Sequence, residues 1–325
     1  MACWLKRQVR AVELFAGAGG AALGLHAAGI EHLRCIEWDK DAAATLAAAG
    51  FPTVCGDVRD LSLYAGLDPD LIWSSFPCQC WSSASPDRLG PKDTERNGWP
   101  WTMDAIDAMS PRWFVAENVT GLTQHRGECA GGCVGPELCP RAYLDRVILA
   151  QLRERFPSVA CRVLNSSSYG VPQHRRRLII VAGKHAIDWP APTHGKPTGQ
   201  GDLFGRKLLP WRTVRDALTI TSGRVIGGGT RGHGMAEWKP RDCTDEPGPC
   251  VNAMQGSTAG IYVEDEGNAQ RLATAQELAA LQDFPPDHPW QGNKQSQYRQ
   301  VGNAVPPTLA RVVAEAVLVA ASEPA

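Results

Sequence analysis

One cysteine of the sequence stands where a thiol can act as a nucleophile. Cys78 follows the short apolar run 71–75 in the segment Phe76-Pro77-Cys78-Gln79. A run of this length indicates a buried strand, and the proline after it favours a tight, rigid turn. Ionised thiols attack electrophilic carbon, whereas most cysteines in proteins are buried and inert. The sequence alone leaves both interpretations of Cys78 open.

A carboxyl group and two guanidinium groups stand at the ends of other apolar runs. Glu117 lies near the end of the run 113–118, and Arg175 and Arg177 lie just before the run 178–182. Together with a thiol, these groups supply a nucleophile, a proton donor and a stabiliser of negative charge. The four catalytic candidates are Cys78, Glu117, Arg175 and Arg177.

A glycine-rich turn near the start of the sequence predicts a cofactor site. Gly17 and Gly19 follow the first apolar run, and Glu37 ends the next one, 20 residues after Gly17. Glycines let the backbone approach a ligand, and an acidic residue at the end of the second strand can bind ribose hydroxyls. Trp38 can cover an adenine ring, and Asp57 can accept a hydrogen bond from an adenine amino group. The spacing is not that of the dinucleotide fingerprint, so an ordinary turn and solvated loop acids remain alternatives.

Strands and helices alternate along the first half of the sequence. We predict strands at 10–15, 33–37, 54–57, 71–75, 113–118 and 178–182, with helices at 21–28 and 41–49. This alternation predicts an α/β fold with a doubly wound, mostly parallel sheet, whose ligands bind at the carboxyl ends of the strands. Four of the polar residues singled out above stand at such ends: Glu37, Asp57, Cys78 and Glu117.

Prolines and glycines interrupt this pattern after Gly183. Only short helices are predicted beyond it, at 213–218 and 273–282, before a longer one at 306–321. We therefore expect two domains. Residues 1–183 and 292–325 form a catalytic and cofactor-binding domain, and residues 184–291 form a small, loop-rich domain.

The composition is that of a globular protein with balanced charge. Among 325 residues, 43% are hydrophobic and 21% are charged, which excludes global disorder. We expect no membrane span, because uninterrupted apolar runs stay short of the roughly 18 residues that one needs. We also expect no signal peptide, because no apolar core and cleavage site follow the first basic residues. The 11 cysteines are therefore expected to be mostly reduced, in a cytoplasmic protein.

The net charge of −1 conceals an uneven distribution. Residues 151–241 hold 16 Lys and Arg against 5 Asp and Glu, so half of the basic residues lie in little more than a quarter of the chain. Such a segment suits a surface that faces a polyanion. A basic face that acidic neighbours balance within the fold is the equally weighted alternative.

Five motifs occur in an order that is informative when they are taken together. They are Glu13-Leu14-Phe15-Ala16-Gly17-Ala18-Gly19-Gly20, Phe76-Pro77-Cys78-Gln79, Glu117-Asn118-Val119, Gln173-x-Arg175-x-Arg177 and Gly302-Asn303-Ala304-Val305-Pro306-Pro307. The sequence resembles the cytosine-5 DNA methyltransferases, of bacterial and phage type, over almost its whole length. The resemblance implies a Rossmann-like, S-adenosylmethionine-dependent methyltransferase sheet with a small target-recognition domain.

The resemblance also implies a role for each catalytic candidate. Cys78 would attack ring carbon 6 of a cytosine that has been flipped out of duplex DNA, which activates carbon 5 toward methyl transfer. Glu117 would bind ring nitrogen 3 and the exocyclic amine. Arg177 would bind the cytosine O2, and Arg175 would support the site.

The remaining implied residues fall into two groups. The S-adenosylmethionine pocket would be lined by Phe15, Gly17, Gly19, Glu37, Trp38, Asp57, Pro77 and Asn303. DNA would be contacted by Gln79, Ser82, Gln173, Arg224 and Arg231. The expected partner is double-stranded DNA, the expected state is a monomer, and a cognate restriction endonuclease is a further partner that the resemblance suggests.

A cysteine-rich loop follows the Glu117 motif. His125, Cys129, Cys133 and Cys139 offer an imidazole and three thiols, the donors that zinc binds tetrahedrally. Their spacing is not that of a compact zinc knuckle, so a loop of reduced thiols without metal is the competing interpretation.

Three alternatives to the leading function remain open at this point. The same chemistry can act on RNA, a branch of the family being tRNA methyltransferases, although the Cys-Phe-Thr signature of that branch is missing. A catalytically silent DNA-binding homologue is disfavoured because Cys78, Glu117, Arg175 and Arg177 occur together. A modified cofactor that delivers a different one-carbon-derived group is compatible with the same pocket residues.

Overall fold

The computed structural model describes residues 8–77, 97–125, 139–196, 207–219, 223–227, 241–253, 260–264 and 270–322. Its strands are β1 Arg10–Leu14, β2 Glu31–Glu37, β3 Thr53–Cys55, β4 Leu71–Ser74, β5 Trp113–Val119, β6 Ser158–Asn165, β7 Arg176–Gly183, β8 His194–Gly195, β9 Leu209–Pro210, β10 Arg224–Gly227, β11 Arg241–Asp242, β12 Tyr262–Glu264 and β13 Gln270–Leu272. Its α-helices are α1 Gly20–Ala27, α2 Lys40–Ala48, α3 Trp99–Met109, α4 Pro140–Tyr143, α5 Leu149–Arg153, α6 Val214–Leu218, α7 Ala275–Leu281, α8 Lys294–Asn303 and α9 Pro307–Ala321. A π-helical stretch, Leu144–Ile148, joins α4 to α5.

Seven strands form one sheet in the order β3-β2-β1-β4-β5-β7-β6. The pairs from β3 to β5 are parallel, and β7 runs antiparallel to both of its neighbours. The prediction of an α/β fold with a mostly parallel, doubly wound sheet is confirmed. The central strands read as continuous apolar runs because helices cover both faces of the sheet; β4, for example, is buried along its whole length.

The sequence interpretation missed β6. This strand lies at the edge of the sheet, and most of its side chains are only partly buried. Polar residues such as Ser158 and Arg162 are therefore tolerated there, and they interrupt the apolar run by which buried strands are recognised.

Two apolar cores lie on the two faces of the sheet. One contains α3 and the helical segment from α4 to α5, and the other contains α1 and α9. On the second face, Gly24 of α1 lets the helices approach closely, because a Cβ atom there would overlap the backbone at Pro307 and Arg311. The sheet is thus enclosed, and its carboxyl edge is where polar groups gather.

The stretch Lys294–Ala321 has the length and apolar composition of a membrane span. In the structure this stretch is two helices, α8 and α9, which are separated between Asn303 and Pro307. Leu309, Val313 and Val317 of α9 are buried in the core beneath the sheet. A core helix passes the same compositional test, so the stretch gives little support for a membrane span.

A second sheet of four antiparallel strands, in the order β11-β10-β12-β13, belongs to the small domain. The predicted domain boundaries stay a prediction, and the apolar packing on either side of them is as follows. Ile187 still packs in the core of the first domain, whereas Val214 is the first residue of the small core. At the other end, Tyr298 and Val301 of α8 complete the small core, and Val305 returns to the first. The apolar face of α8 is thus buried in the core beside the four-stranded sheet.

Candidate active site

A buried carboxylate fixes the glycine turn that follows β1. Oε2 of Glu37 accepts a hydrogen bond from the backbone N–H of Gly17 at 2.7 Å, and Oε1 accepts one from that of Asp39 at 2.8 Å. Burial raises the pKa of Glu37 above its usual value, although these hydrogen bonds act in the opposite direction. A carboxylate has about four lone-pair sites, so capacity remains for further donors. Glu37 thus joins the ends of β1 and β2 and can still accept a bond from a ligand hydroxyl.

The turn itself needs glycine, for conformational and steric reasons. Gly17 and Gly19 have φ angles of 57° and 95°, in the left-handed region that side chains disfavour. Gly20 has no room for a Cβ atom, because the carbonyl oxygen of Val305 occupies that space. On the same side, Nε2 of His288 is 3.0 Å from the carbonyl oxygen of Ala18. The turn is therefore held against the segment that joins α8 to α9.

Three other predicted cofactor residues, Trp38, Asp57 and Asn303, differ in how accessible they are to a ligand. Trp38 is 70% exposed, and Asn303, the last residue of α8, is also exposed. Asp57 is paired with Arg59, whose Nη2 lies 2.6 Å from Oδ2. The hydrogen bond from Arg59 is the main cause that holds the pKa of Asp57 below its usual value. Trp38 and Asn303 are thus open to a ligand, whereas a ligand at Asp57 has to share the carboxylate with Arg59.

Two contacts hold the turn that leads to the candidate nucleophile. Nδ2 of Asn118 donates a hydrogen bond to the carbonyl oxygen of Phe76 at 3.2 Å. A Cβ atom on Gly98 would overlap Pro77 and press against the ring of Phe15, so these groups are in close contact at the start of α3. The predicted cofactor residues Phe15 and Pro77 are therefore adjacent. Cys78 itself lies outside the described residues.

A carboxylate and a guanidinium face each other across β5 and β7. Nε of Arg177 lies 2.7 Å from Oε1 of Glu117, and both side chains are about nine-tenths buried. The register explains this contact, because Arg177 pairs with Val119, two residues beyond Glu117 and on the same face of the sheet. Since β7 is antiparallel, it begins at the edge where β5 ends. The two predicted catalytic groups therefore meet at the carboxyl edge of the sheet.

Arg175 is buried beneath this pair. Its Nη1 donates to the carbonyl oxygen of Val251 at 2.7 Å, and its Nη2 donates to those of Gly302 and Ala304 at 2.9 and 2.8 Å. Burial and the nearby Arg177 lower the pKa of Arg175 to about 10, so its guanidinium stays charged at neutral pH. Arg175 thus ties the start of β7 to the backbone at Val251 and at the end of α8, and its supporting role in catalysis stays a prediction.

These features coincide with a match to a known family. The family model described as C-5 cytosine-specific DNA methylase matches residues 9–318. The chain belongs to this family. It is therefore a methyltransferase that acts on carbon 5 of cytosine in DNA.

Sequence relatives and solved structures agree with this assignment. The methylase is 33% identical to type II methyltransferase M.AplI of Arthrospira platensis, with 96% of this chain and 86% of the relative aligned. It is 31% identical to type II methyltransferase M.NaeI of Lentzea aerocolonigenes, over 94% and 74% of the two chains. The crystal structure of S. pombe Dnmt2 methyltransferase superposes with a TM-score of 0.64 over 96% of this chain and 98% of that one. At 18% identity, that likeness shows the fold alone.

The predicted DNA contact by Gln173 does not agree with the structure of the methylase. Gln173 is fully buried. Its Nε2 donates to the carbonyl oxygen of Leu281 at 3.2 Å, and its Oε1 accepts from the backbone N–H of Val251 at 3.0 Å. Both ends of the amide are used inside the protein, so its role is to join β7 to the small domain.

The other predicted DNA contacts stay predictions. Arg224 lies on β10 and is half exposed, and its Nη2 pairs with Oε1 of Glu264 at 2.9 Å. The exposed side chain can reach DNA, although the neighbouring carboxylate offsets part of its charge. Gln79, Ser82 and Arg231 lie outside the described residues.

Two of the four proposed zinc ligands are described, and they are close together. Sγ of Cys139 lies 3.7 Å from Nδ1 of His125. Two such donors on one tetrahedral zinc ion stand about 3.5 Å apart, so this separation suits a shared metal. Cys129 and Cys133 lie outside the described residues, and the zinc site stays a prediction. About one zinc per chain in metal analysis of the purified methylase would support it, and no bound metal would contradict it.

One polar contact of the site was not identified as such from the sequence. Cys250 follows Gly248, which pairs with Gln173 in an isolated bridge. Its Sγ is 3.4 Å from Nη1 of Arg175. No local pattern signals this contact, because it joins residues 75 positions apart.

We predict that Arg175→Met destabilises the methylase, whereas Arg176→Met does not. The first change leaves three buried carbonyl groups without their donor and should lower the free energy of unfolding by about 3 kcal/mol. Arg176, the next residue, is exposed and serves as the matched control, with an expected effect within about 0.5 kcal/mol. Urea denaturation followed by circular dichroism measures both. Equal stability of the two variants would contradict the anchoring role of Arg175.

Proposed function

We propose that this methylase transfers a methyl group from S-adenosylmethionine to carbon 5 of a cytosine flipped out of duplex DNA, with Cys78 as the covalent nucleophile. The observation that carries this proposal is the buried contact between Glu117 and Arg177. The contact lies beside Asn118, which holds the turn directly before Cys78. A hydrogen-bonding carboxyl group and a cation at one end of the nucleophile's turn suit addition to a pyrimidine ring.

The roles proposed for the side chains follow from their chemistry. Addition of the Cys78 thiolate to carbon 6 places negative charge on the ring, which needs donors at nitrogen 3 and O2. Glu117 supplies the group at nitrogen 3 and the exocyclic amine, and Arg177 supplies a charged donor at O2. Once carbon 5 carries the new methyl group, loss of its proton to a base restores the 5,6 double bond and expels Cys78 as the thiolate. None of these atoms is accessible in a stacked duplex, so the base must leave the helix.

The residues at the end of β2 fit S-adenosylmethionine as the methyl donor. When bound, this molecule supplies an electrophilic methyl group. The buried carboxylate of Glu37 retains acceptor sites for ribose hydroxyls, and the exposed ring of Trp38 offers an apolar face for a purine. The glycine turn and the adjacent Phe15 and Pro77 would form the remaining walls.

Duplex DNA as the partner is supported by the charge distribution and by the relatives. The basic segment 151–241 includes Arg175 and Arg177 and extends into the small domain, so a phosphate backbone is expected along that side. Relatives are named as type II methyltransferases, a class that works beside restriction endonucleases. We accordingly propose a monomeric, cytoplasmic enzyme that protects DNA within a restriction-modification system.

The covalent step is tested with a substrate that cannot lose its carbon-5 substituent. We expect duplex DNA containing 5-fluorocytosine at the target site, together with S-adenosylmethionine, to form an adduct that survives denaturing electrophoresis. Fragments covering many sequence contexts are needed because the recognition site is not defined by the sequence. Cys78→Ser should abolish the adduct, whereas Cys55→Ser, at an exposed cysteine at the end of β3, should keep it. An adduct on fluorinated tRNA but not on duplex DNA would overturn the proposal.

We further predict that Glu37→Gln weakens the binding of S-adenosylmethionine by about tenfold. A glutamine has a single acceptor oxygen, so its amide nitrogen would face one of the two backbone N–H groups and leave it unpaired in a buried site. Glu31→Gln, at the exposed start of the same strand, is the control. Isothermal titration calorimetry measures the affinity, and an unchanged affinity of Glu37→Gln would exclude Glu37 from the cofactor site.

A further inference from the structure

Cys250 has surroundings that differ from those of a packed thiol. It is exposed to solvent, yet its Sγ is 3.4 Å from Nη1 of Arg175, and Arg177 also hydrogen-bonds to it. Two backbone bonds fix this position: the N–H of His174 donates to the carbonyl oxygen of Gly248, and the N–H of Gly248 donates to that of Pro172. The thiol is therefore held beside both arginines.

The charges around Cys250 leave it as the anionic partner of Arg175. The Glu117 carboxylate is bonded to Arg177. Among the described residues, the other hydrogen-bond partners of Arg175 are neutral backbone carbonyl groups, and its buried Nε has none. A buried cation is costly unless an anion pairs with it. Cys250 is the one ionisable acid that hydrogen-bonds to Arg175 among the described residues, so its ionised form would be paired there.

The acidity of the thiol agrees with this geometry. Desolvation alone would raise the pKa of Cys250, but Arg175 and Arg177 outweigh it, and the pKa lies below its usual value. Cys243, seven residues earlier, shows the opposite behaviour. It is fully buried, and desolvation raises its pKa to about 11.

We propose that Cys250 is a second reactive thiol of the site, held as a thiolate by Arg175 and Arg177 and open to covalent modification by soft electrophiles. It is distinct from the proposed nucleophile Cys78 and has no part in the methyl-transfer steps proposed above. The class of ligand is an alkylating agent or another electrophile that attacks thiolates.

The modification step is a simple displacement. The Cys250 sulfur forms a bond to the carbon atom of iodoacetamide, the carbon–iodine bond breaks, and iodide leaves with the electron pair. The thiol proton has already passed to solvent. The product is a neutral thioether, so Arg175 loses its anionic partner and the added group projects toward Arg177. If Arg177 binds the cytosine O2, as the proposed function holds, this modification also obstructs the base site.

The reactivity is tested by labelling the full-length Cys78→Ser protein with iodoacetamide and measuring each cysteine by mass spectrometry. Cys243 and Cys250 fall in one tryptic peptide, residues 242–271, so fragmentation compares them directly. Cys55, which is exposed, shows what accessibility alone provides. We expect Cys250 to react about three to ten times faster than Cys55 at pH 7, because a larger thiolate fraction outweighs its lower intrinsic nucleophilicity. Cys243 should remain unlabelled until the protein is denatured.

The pH profile and one variant separate activation from accessibility. Between pH 6 and 9, the rate at Cys250 should level off at a lower pH than the rate of a small free thiol such as N-acetylcysteine, because its pKa lies below the usual value. The charged groups involved are Arg175 and Arg177 at the thiol and Glu117 behind Arg177. Arg177→Gln removes one cation and should slow labelling of Cys250 while leaving Cys55 unchanged. Equal rates at Cys55 and Cys250, with a pH profile at Cys250 like that of the free thiol, would overturn the proposal.

Labelling in the presence of duplex DNA distinguishes this inference from the proposed function. Duplex DNA that slows labelling of Cys250 would support its place beside the base site. The order of labelling rates among the cysteines of the free protein does not depend on DNA or on methyl transfer. A failed adduct experiment therefore leaves the labelling result standing, and slow labelling of Cys250 leaves the role of Cys78 untouched.

Discussion

The arrangement of the site depends on one buried guanidinium. Arg175 stands directly before β7 and reaches two separate parts of the chain, the segment at Val251 and the end of α8. Together with Gln173, which binds Leu281 and Val251, it attaches the segment before β7 to these parts of the chain. The side chain is costly to bury, and its hydrogen bonds to three backbone carbonyl groups offset part of that cost. A single residue thereby connects the start of β7, next to Arg177, to the segment at Val251 and to the end of α8.

The antiparallel direction of β7 complements this anchor. If β7 ran parallel to β5, it would begin at the opposite edge of the sheet. Its first residues would then lie about seven residues along the strand from the cleft. By reversing, β7 presents its first residues where β4 and β5 present their last. Glu117 and Arg177 are then on one face and in contact, and Arg176 points away to solvent. The reversal is thus what allows one cleft to collect groups from three strands and from the small domain.

Local patterns identified most of the first domain and the residues at its strand ends. Glu37 and Glu117 could be found because a polar residue that ends a buried strand has few structural reasons to be there. Other features could not be found this way. The edge strand β6 lacks a continuous apolar run. Gln173 is polar, as residues that bind DNA are, but both polar atoms of its side-chain amide are bonded inside the protein. The contact between Cys250 and Arg175 joins segments that are distant in the sequence. The packing of α8 in the small core likewise depends on its partners there and cannot be read from the composition of α8 itself.

The way in which Arg175 holds the small domain has an evolutionary consequence. Its acceptors are main-chain carbonyl oxygens, which every amino acid provides. Gln173 likewise binds only backbone atoms of the neighbouring segments. Side chains on the small sheet can therefore be exchanged without disturbing the attachment, as long as the backbone path is kept. Sequence change on the small sheet is thereby uncoupled from the groups at the ends of β5 and β7, because the attachment between them does not depend on side-chain identity in that sheet.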